Sequence, residues 1–154
     1  MRRRIYTDTS VIGGCLDEEF RSASTELLES FMAGTDVIVL SDITLVELQQ
    51  APTAVRDVLS RIPDSNREQL AITAEALSLA TLYVSQGVVG RASMVDARHI
   101  AIATIARVDV LVSWNFKHVV NLDRIRGYNS VNLRQGYPLL EIRTPAEVMS
   151  RGKD

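Results

Sequence analysis

The sequence predicts an α/β domain with a mostly parallel central sheet. Two observations carry this. Val37-Ile-Val-Leu40 and Val110-Leu-Val-Ser113 are short, almost wholly apolar runs, the pattern of strands covered on both faces. Stretches of helical periodicity separate them, each opened or closed by a cap or breaker residue. Buried strands alternating with helices define a parallel α/β sheet. Ligands in such sheets sit beyond the C-terminal ends of the strands.

The elements follow in order. Arg4-Ile-Tyr-Thr-Asp8 reads as a first strand. Ser10 to Leu16 is a poor helix, weakened by Gly13 and Gly14. Ser22 to Ala33 is a better one, with apolar Leu27, Leu28, Phe31 and Met32 and with Gly34 as its stop. After the Val37–Leu40 strand, Ser41 or Asp42 caps a helix running to Gln50, ended by Pro52. Thr53 to Arg61 reads as a helix, 63–66 as a loop, and Thr73 to Gln86 as a helix stopped by Gly87. Ser93 caps a long helix from Met94 to Arg107, apolar nearly all round and therefore deeply buried. The strand at Val110–Ser113 leads to a short helix near Lys117 and a longer one from Leu122 to Gln135. Leu139 to Arg143 is the last strand. Thr144-Pro-Ala-Glu147 is a capping box with proline at the first helical position.

The chain has 154 residues, the size of one domain, so the whole of 1–154 reads as a single unit. No apolar run approaches the ~20 residues of a membrane helix. The basic start, Met1-Arg-Arg-Arg-Ile-Tyr, lacks the apolar segment of a signal peptide. A cytoplasmic location with no membrane contact is the expectation. Cys15 is the one cysteine, which rules out an internal disulfide and a cysteine-built zinc site; it reads as a small buried residue. The formal net charge is −2, so no overall basic field points to nucleic acid. Such binding needs a local patch, or cations that reverse the sign of an acidic pocket.

The carboxylates fall where the topology places a ligand. Asp8 ends the first strand, Glu47 lies on the helix after the second, and Asp96 lies in the first turn of the long helix. Asn115 follows the Val110–Ser113 strand. Asp8, Glu47 and Asp96 sit among apolar neighbours with few cations nearby. Carboxylates so placed are costly unless paired or metal-bound, and several together repel one another. A divalent cation with a preference for oxygen ligands, Mg²⁺ or Mn²⁺, removes the conflict. Each residue also has an ordinary structural alternative. Asp8 can cap a helix, Asp96 can partner Ser93 in a capping box, Glu47 can be a solvated helix residue, and Asn115 can form a turn.

The ordered set of motifs resembles the PIN-domain nucleases, and within them the VapC-type toxin ribonucleases. The pieces are Tyr6-Thr-Asp8-Thr-Ser-Val-Ile12, Leu40-Ser-Asp-Ile-Thr-Leu-Val-Glu47-Leu48, Asp96-Ala-Arg-His-Ile-Ala-Ile-Ala103 and Val110-Leu-Val-Ser-Trp-Asn-Phe-Lys-His118, with Gly136-Tyr-Pro-Leu-Leu-Glu-Ile-Arg-Thr-Pro145 closing the chain. The resemblance implies a three-layer α/β/α sandwich and metal-dependent hydrolysis of RNA phosphodiester bonds, with a small antitoxin partner and a homodimer. Its three acidic positions map onto Asp8, Glu47 and Asp96, as metal ligands and catalytic groups. Its small hydroxyl position maps onto Ser10, placed to orient Asp8. The fourth catalytic position, often Asp in the family, is Asn115 here, which can ligate Mg²⁺ through its carbonyl oxygen or hold a metal-bound water, but without charge, implying weaker binding of a second ion.

In this reading Asp8 and Asp96 ligate Mg²⁺ or Mn²⁺, while Glu47 either ligates or takes a proton from the attacking water. Ser10, Lys117 and His118 are candidates for contact with the RNA, ahead of Arg124, Arg126 and Arg134. His99, three residues after Asp96, reads as a structural, hydrogen-bonded histidine, and Trp114 as a packing residue. The alternative is a PIN-like module that binds RNA or protein without cleaving, which Asn115 favours and the intact carboxylates oppose. A phosphohydrolase using Asp8 as nucleophile lacks its second Asp, since Ser10 stands two residues on, and there is no Walker A loop.

Overall fold

The computed structural model describes residues 2–150; Met1 and 151–154, part of the expected 1–154 unit, lie outside the described residues. The strands are β1 (Arg3–Thr7), β2 (Asp36–Ser41), β3 (Arg67–Leu70), β4 (Val110–Val112) and β5 (Ile142–Arg143). The helices are α1 (Thr9–Gly14), α2 (Arg21–Ala33), α3 (Asp42–Gln49), α4 (Thr53–Ser60), α5 (Ala74–Ser85), α6 (Met94–Ile105), α7 (Leu122–Arg134) and α8 (Pro145–Ser150). All strand pairs are parallel, in the order β3-β2-β1-β4-β5.

The strand pleat divides the core in two. Tyr6, Val39 and Leu111 point into one cluster with the buried faces of α5, α6 and α7. Their neighbours Ile5, Ile38, Leu40, Val110 and Val112 point into the other, packed by α1, α2, α4 and Val148 of α8. Side chains that alternate faces along a strand produce this split, and it makes the three-layer α/β/α sandwich. Helix α3 runs between the layers, giving Leu48 to one cluster and Ile43 to the other.

Several boundaries follow from local chemistry. Ser41 caps α3 in a capping box with Thr44, and the Thr73 hydroxyl accepts from the Ala76 amide to open α5. Gly34 ends α2 at φ 79°, a left-handed conformation open to glycine. The Thr144–Glu147 box forms in both directions, Thr144 N to Glu147 Oε1 at 3.1 Å and Glu147 N to Thr144 Oγ1 at 3.2 Å. Gly14 has a packing role beyond weakening its helix. A Cβ there would lie 2.5 Å from Ser24 Oγ and 2.9 Å from Trp114 Nε1.

Some expectations differ from the structure. The edge strand β3 follows directly on the expected 63–66 loop, in a stretch to which the sequence reading assigns no element. Its Arg-Glu-Gln-Leu sequence carries no apolar alternation, and it is tied in by Arg4 Nε donating to Glu68 Oε1 at 2.8 Å. Near Lys117 there are turns and no helix. Ser93 precedes α6 but makes no side-chain cap bond, and α6 stops at Ile105, followed by Arg107 at φ 55°. The last strand shrinks to Ile142–Arg143, because the Leu140 amide bonds to Asn129 Oδ1 and not to the sheet. Cys15 is half-buried and not fully enclosed.

No helix among the described residues is long and apolar enough to cross a membrane.

Candidate active site

The strand order sets the location. From β1 the chain moves outward to β2 and β3 on one side and reaches β4 and β5 on the other, so β1 and β4 flank the switch point where α/β sheets bind ligands. Asp8 leaves β1 there, its amide donating to Val112 O at 3.1 Å. Asp8 is the residue before α1, yet its side chain makes no cap bond. Instead its Oδ2 accepts from Ser10 Oγ at 3.0 Å and from Ser113 Oγ at 2.8 Å. Ser113 is fully buried at the end of β4, and its Oγ also accepts from the Asn115 amide at 2.9 Å. Ser10 Oγ accepts from the Trp114 amide at 3.0 Å. Two hydroxyls, one from each side of the switch point, aim Asp8.

Glu47 projects from α3 toward the same edge. Its Oε1 accepts from Thr9 Oγ1 at 3.1 Å and lies 2.7 Å from His99 Nε2. His99 comes from α6 and is buried. Its other nitrogen, Nδ1, lies 2.6 Å from the Tyr6 hydroxyl, which is 2.7 Å from Ser41 Oγ. A chain of polar groups thus runs from the buried ends of β1 and β2 to the Glu47 carboxylate. One donor atom each from Asp8, Glu47 and His99 lie within 4.8 Å of one another.

Asp96 stands one α6 turn before His99 and is half-buried. It does not join that set of three, but it feels the charges of Asp8, Glu47, His99 and His118. Its Oδ2 accepts a long bond, 3.5 Å, from Asn115 Nδ2. The Asn115 carbonyl oxygen accepts from the amides of Lys117 (3.2 Å) and His118 (3.0 Å). Asn115 therefore closes a turn with its oxygen and shows its amide nitrogen to Asp96. The Lys117 side chain is exposed, and His118 is half-buried with a buried Nδ1 that has no hydrogen-bond partner. Arg124 and Arg134 are engaged elsewhere, on Val88 O at 2.6 Å and Gln86 Oε1 at 2.7 Å. Trp114 is half-buried, stacked on Phe20 at 4.4 Å with Nε1 donating to Ser24 Oγ at 2.8 Å.

Among the described residues no Lys or Arg pairs with Asp8, Glu47 or Asp96. Burial pushes the Asp96 carboxyl up, and the Asp8 charge adds to this against the opposing pull of His99 and His118. Burial also works to raise Glu47, but the His99 hydrogen bond and charge, helped by Thr9, hold it below its ordinary value. Burial works to lower His99, and is outweighed by the Glu47 bond and the charges of Asp8, Glu47 and Asp96, so its pKa is raised.

Sequence reasoning alone gives Ser113, Thr9, Tyr6 and Ser41 no part in the site. Ser113 and Thr9 each flank a named residue, at the ends of β4 and β1. Tyr6 carries a usable signal, since a buried phenol needs a polar partner.

Comparison with known proteins finds the same architecture. No family model and no curated protein sequence matches the chain. Among solved structures, the Mycobacterium tuberculosis toxin VapC20, described as cleaving the sarcin-ricin loop, superposes with a TM-score of 0.57 at 16% identity, covering 73% of this chain and 91% of its own. VapBC2 from Rickettsia felis, solved bound to a DNA fragment from its promoter, gives 0.55 at 16% identity, covering 92% and 98%. At these identities the likeness is one of fold. The chain has the PIN-like α/β/α fold, with an acidic cluster at the switch point of its sheet.

Proposed function

We propose that the chain is a divalent-metal-dependent endoribonuclease of the toxin type, with its reaction centre at Asp8, Glu47 and Asp96. The observation that carries this is the set of carboxylates by the β1/β4 switch point, of which Asp8 and Glu47 are oriented by hydroxyls and all three are without a Lys or Arg partner among the described residues. The likeness in fold to a toxin that cleaves the sarcin-ricin loop supports RNA as the substrate. The donor set fits Mg²⁺ or Mn²⁺. Octahedral bonds of ~2.0–2.1 Å place ligand atoms roughly 3 to 4 Å apart, and Asp8 and Glu47 present carboxylate oxygens within 4.8 Å of each other.

When bound, the ion supplies an activated water and charge stabilisation at the phosphate. Asp8, fixed by Ser10 and Ser113, and Asp96 would hold it. Glu47, anchored by Thr9 and His99, either ligates or takes the proton of the attacking water. Lys117, exposed in the Asn115-closed turn, and His118, whose charge acts on Asp96, are placed to meet RNA phosphates. Ser10 serves by orienting Asp8. A small antitoxin covering the acidic pocket, a homodimeric state and a cytoplasmic setting complete the proposal.

A second reading, a module that binds RNA or protein without cleaving it, rests on one observation: the Asn115 oxygen is occupied by two backbone amides. One experiment separates the two. Purified protein is incubated with total RNA in Mg²⁺, Mn²⁺ or EDTA, beside Asp8→Asn. Metal-dependent cleavage that Asp8→Asn loses is the expected result. RNA bound but uncut by the wild type supports the second reading, and cleavage that persists in Asp8→Asn overturns the assignment of the site.

A further inference from the structure

The acidic cluster contains a group that an all-oxygen site does not need. His99 is one of two histidines in the chain, it is buried, and it points a nitrogen at Glu47. We propose that His99 Nε2 is itself a metal ligand beside the Asp8, Glu47 and Asp96 carboxylates, so that the site is a mixed carboxylate–imidazole centre that favours first-row transition ions such as Mn²⁺ over Mg²⁺. This rests on the metal-site reading above and names the ligand and selectivity within it.

Three observations point this way. Asp8, Glu47 and His99 are the residues whose donor atoms lie within 4.8 Å of one another, whereas Asp96 stands outside that set. The His99 ring is oriented from behind, with Nδ1 2.6 Å from the Tyr6 hydroxyl and that hydroxyl 2.7 Å from Ser41 Oγ. When Nδ1–H donates to Tyr6, and Tyr6 donates to Ser41, the Nε2 lone pair faces Asp8 and Glu47. A metal-ligating histidine is held in this way, its other N–H given to a fixed acceptor. Tyr6 and Ser41 are both fully buried, so the ring is aimed before any ion arrives.

The ion-free arrangement is compatible with this. There Nε2–H donates to Glu47 Oε1 at 2.7 Å, and the Tyr6 hydroxyl, donor or acceptor as required, satisfies Nδ1 in either state. Ion binding takes the place of that hydrogen bond. On ion binding a doubly protonated ring would release its Nε2 proton to solvent, a neutral Nε2–H ring would carry that proton on Nδ1 instead, and in either case Nδ1–H would donate to Tyr6 while the Glu47 oxygen would turn from acceptor to ligand. Imidazole suits transition ions, while Mg²⁺ prefers oxygen and water, which gives the selectivity.

The test uses the full chain and Mn²⁺ alone, read by pulsed electron paramagnetic resonance, which detects nitrogen coordinated to the ion. Wild type should show imidazole nitrogen coupling and His99→Gln none. The Mn²⁺ affinity of His99→Gln should fall at least about 10- to 100-fold, while its Mg²⁺ affinity changes less than about threefold. Tyr6→Phe should keep the nitrogen coupling and lose about tenfold in Mn²⁺ affinity, the cost of an unsupported ring. Mn²⁺ bound to wild type without nitrogen coupling overturns this inference and leaves the carboxylate metal site standing. Coupling that survives in His99→Gln assigns the nitrogen to His118 and overturns it too. No Mn²⁺ binding at all overturns both this inference and the metal site.

Discussion

Replacing Asn115 by aspartate asks whether the fourth position borders the acidic cluster. The Asn115 oxygen is already committed to the Lys117 and His118 amides, and one oxygen of the introduced carboxylate would keep those bonds. The second oxygen would take the place of Nδ2, 3.5 Å from Asp96 Oδ2. A weak donor becomes a like charge. Unit charges at that distance repel by about 5 kcal/mol at an effective dielectric of about 20. Each charge is spread over two oxygens and Asp96 is only half-buried, so solvent screening reduces the net cost to about 1 kcal/mol. In EDTA at neutral pH the Asn115→Asp variant should melt about 2–4 °C below wild type. The gap should close on acidification as Asp96, already raised by burial and by Asp8, takes up a proton. With a divalent ion present the sign reverses, and Mg²⁺ or Mn²⁺ should bind about fivefold more tightly, the same ~1 kcal/mol now gained. Thermal melts across pH and calorimetric metal titration, each against wild type, give the answer. Equal melting points in EDTA together with equal metal affinity would refute the geometry, because Asn115 would then lie outside the field of the cluster.

Asp96→Asn should remove metal-dependent cleavage and stabilise the metal-free protein at neutral pH. A carboxyl whose folded pKa is raised loses stability as pH rises through that value, so melts in EDTA between about pH 4 and 8 should show a flatter decline for the variant; an unchanged slope would count against the repulsion. Ser113→Ala removes a buried hydroxyl that donates to Asp8 and accepts from the Asn115 amide, and should cost about 1–3 kcal/mol in denaturant unfolding while weakening metal binding; an unaffected metal affinity would show that Asp8 does not depend on it. In metal-free protein the Glu47–His99 pair has its own pH window. Glu47 is held below its ordinary 4.5, so its contribution is present above 4.5 and lost as pH falls through the lowered value. His99 is raised above its ordinary 6.5, so its contribution is present below 6.5 and lost as pH rises through the raised value. The stabilisation should therefore be fullest between those ordinary values and vanish in His99→Gln, as melting curves in EDTA would show.

The parts of the fold legible in the sequence are those set by local chemistry. Val37–Leu40 and Val110–Val112 are central strands that must be apolar on both sides, and their composition says so. The Thr144–Glu147 capping box has a short-range signature and forms as that signature requires, and of Ser41 and Asp42, the two caps open for α3, Ser41 takes the position. What stayed hidden was set by distant partners. Arg67-Glu-Gln-Leu70 becomes a strand because β2 offers a free edge and Arg4 reaches Glu68, neither of which is visible in four polar-leaning residues. At the candidate site the carboxylates could be picked out by their apolar neighbours and by the strand-end rule. Ser113 could not, because a serine after an apolar run is an ordinary turn residue until Asp8 is known to face it 105 positions earlier. His99 was recognisable as a buried, bonded histidine, but its partners Glu47 and Tyr6 come from two other elements.

The hydrogen bonds around the cluster orient charge without cancelling it. Ser10, Ser113 and Thr9 give Asp8 and Glu47 fixed directions, yet a hydroxyl carries no net charge. Among the described residues His99 is the one basic side chain in direct contact with these carboxylates, and of the three it bonds Glu47. Asp8 and Asp96 are left to repel each other, and burial first, with that repulsion second, raises the Asp96 carboxyl. The opposite end of the same sheet differs: there Asp36 is paired, with Arg3 Nε 2.9 Å from its Oδ1. The contrast between the two ends follows from their positions. Asp36 lies at the N-terminal edge, where α/β sheets place no ligand, and it is neutralised within the chain. Asp8 and Asp96 lie at the C-terminal edge, next to the switch point, and no Lys or Arg among the described residues neutralises them, which is the condition the proposed cation site requires.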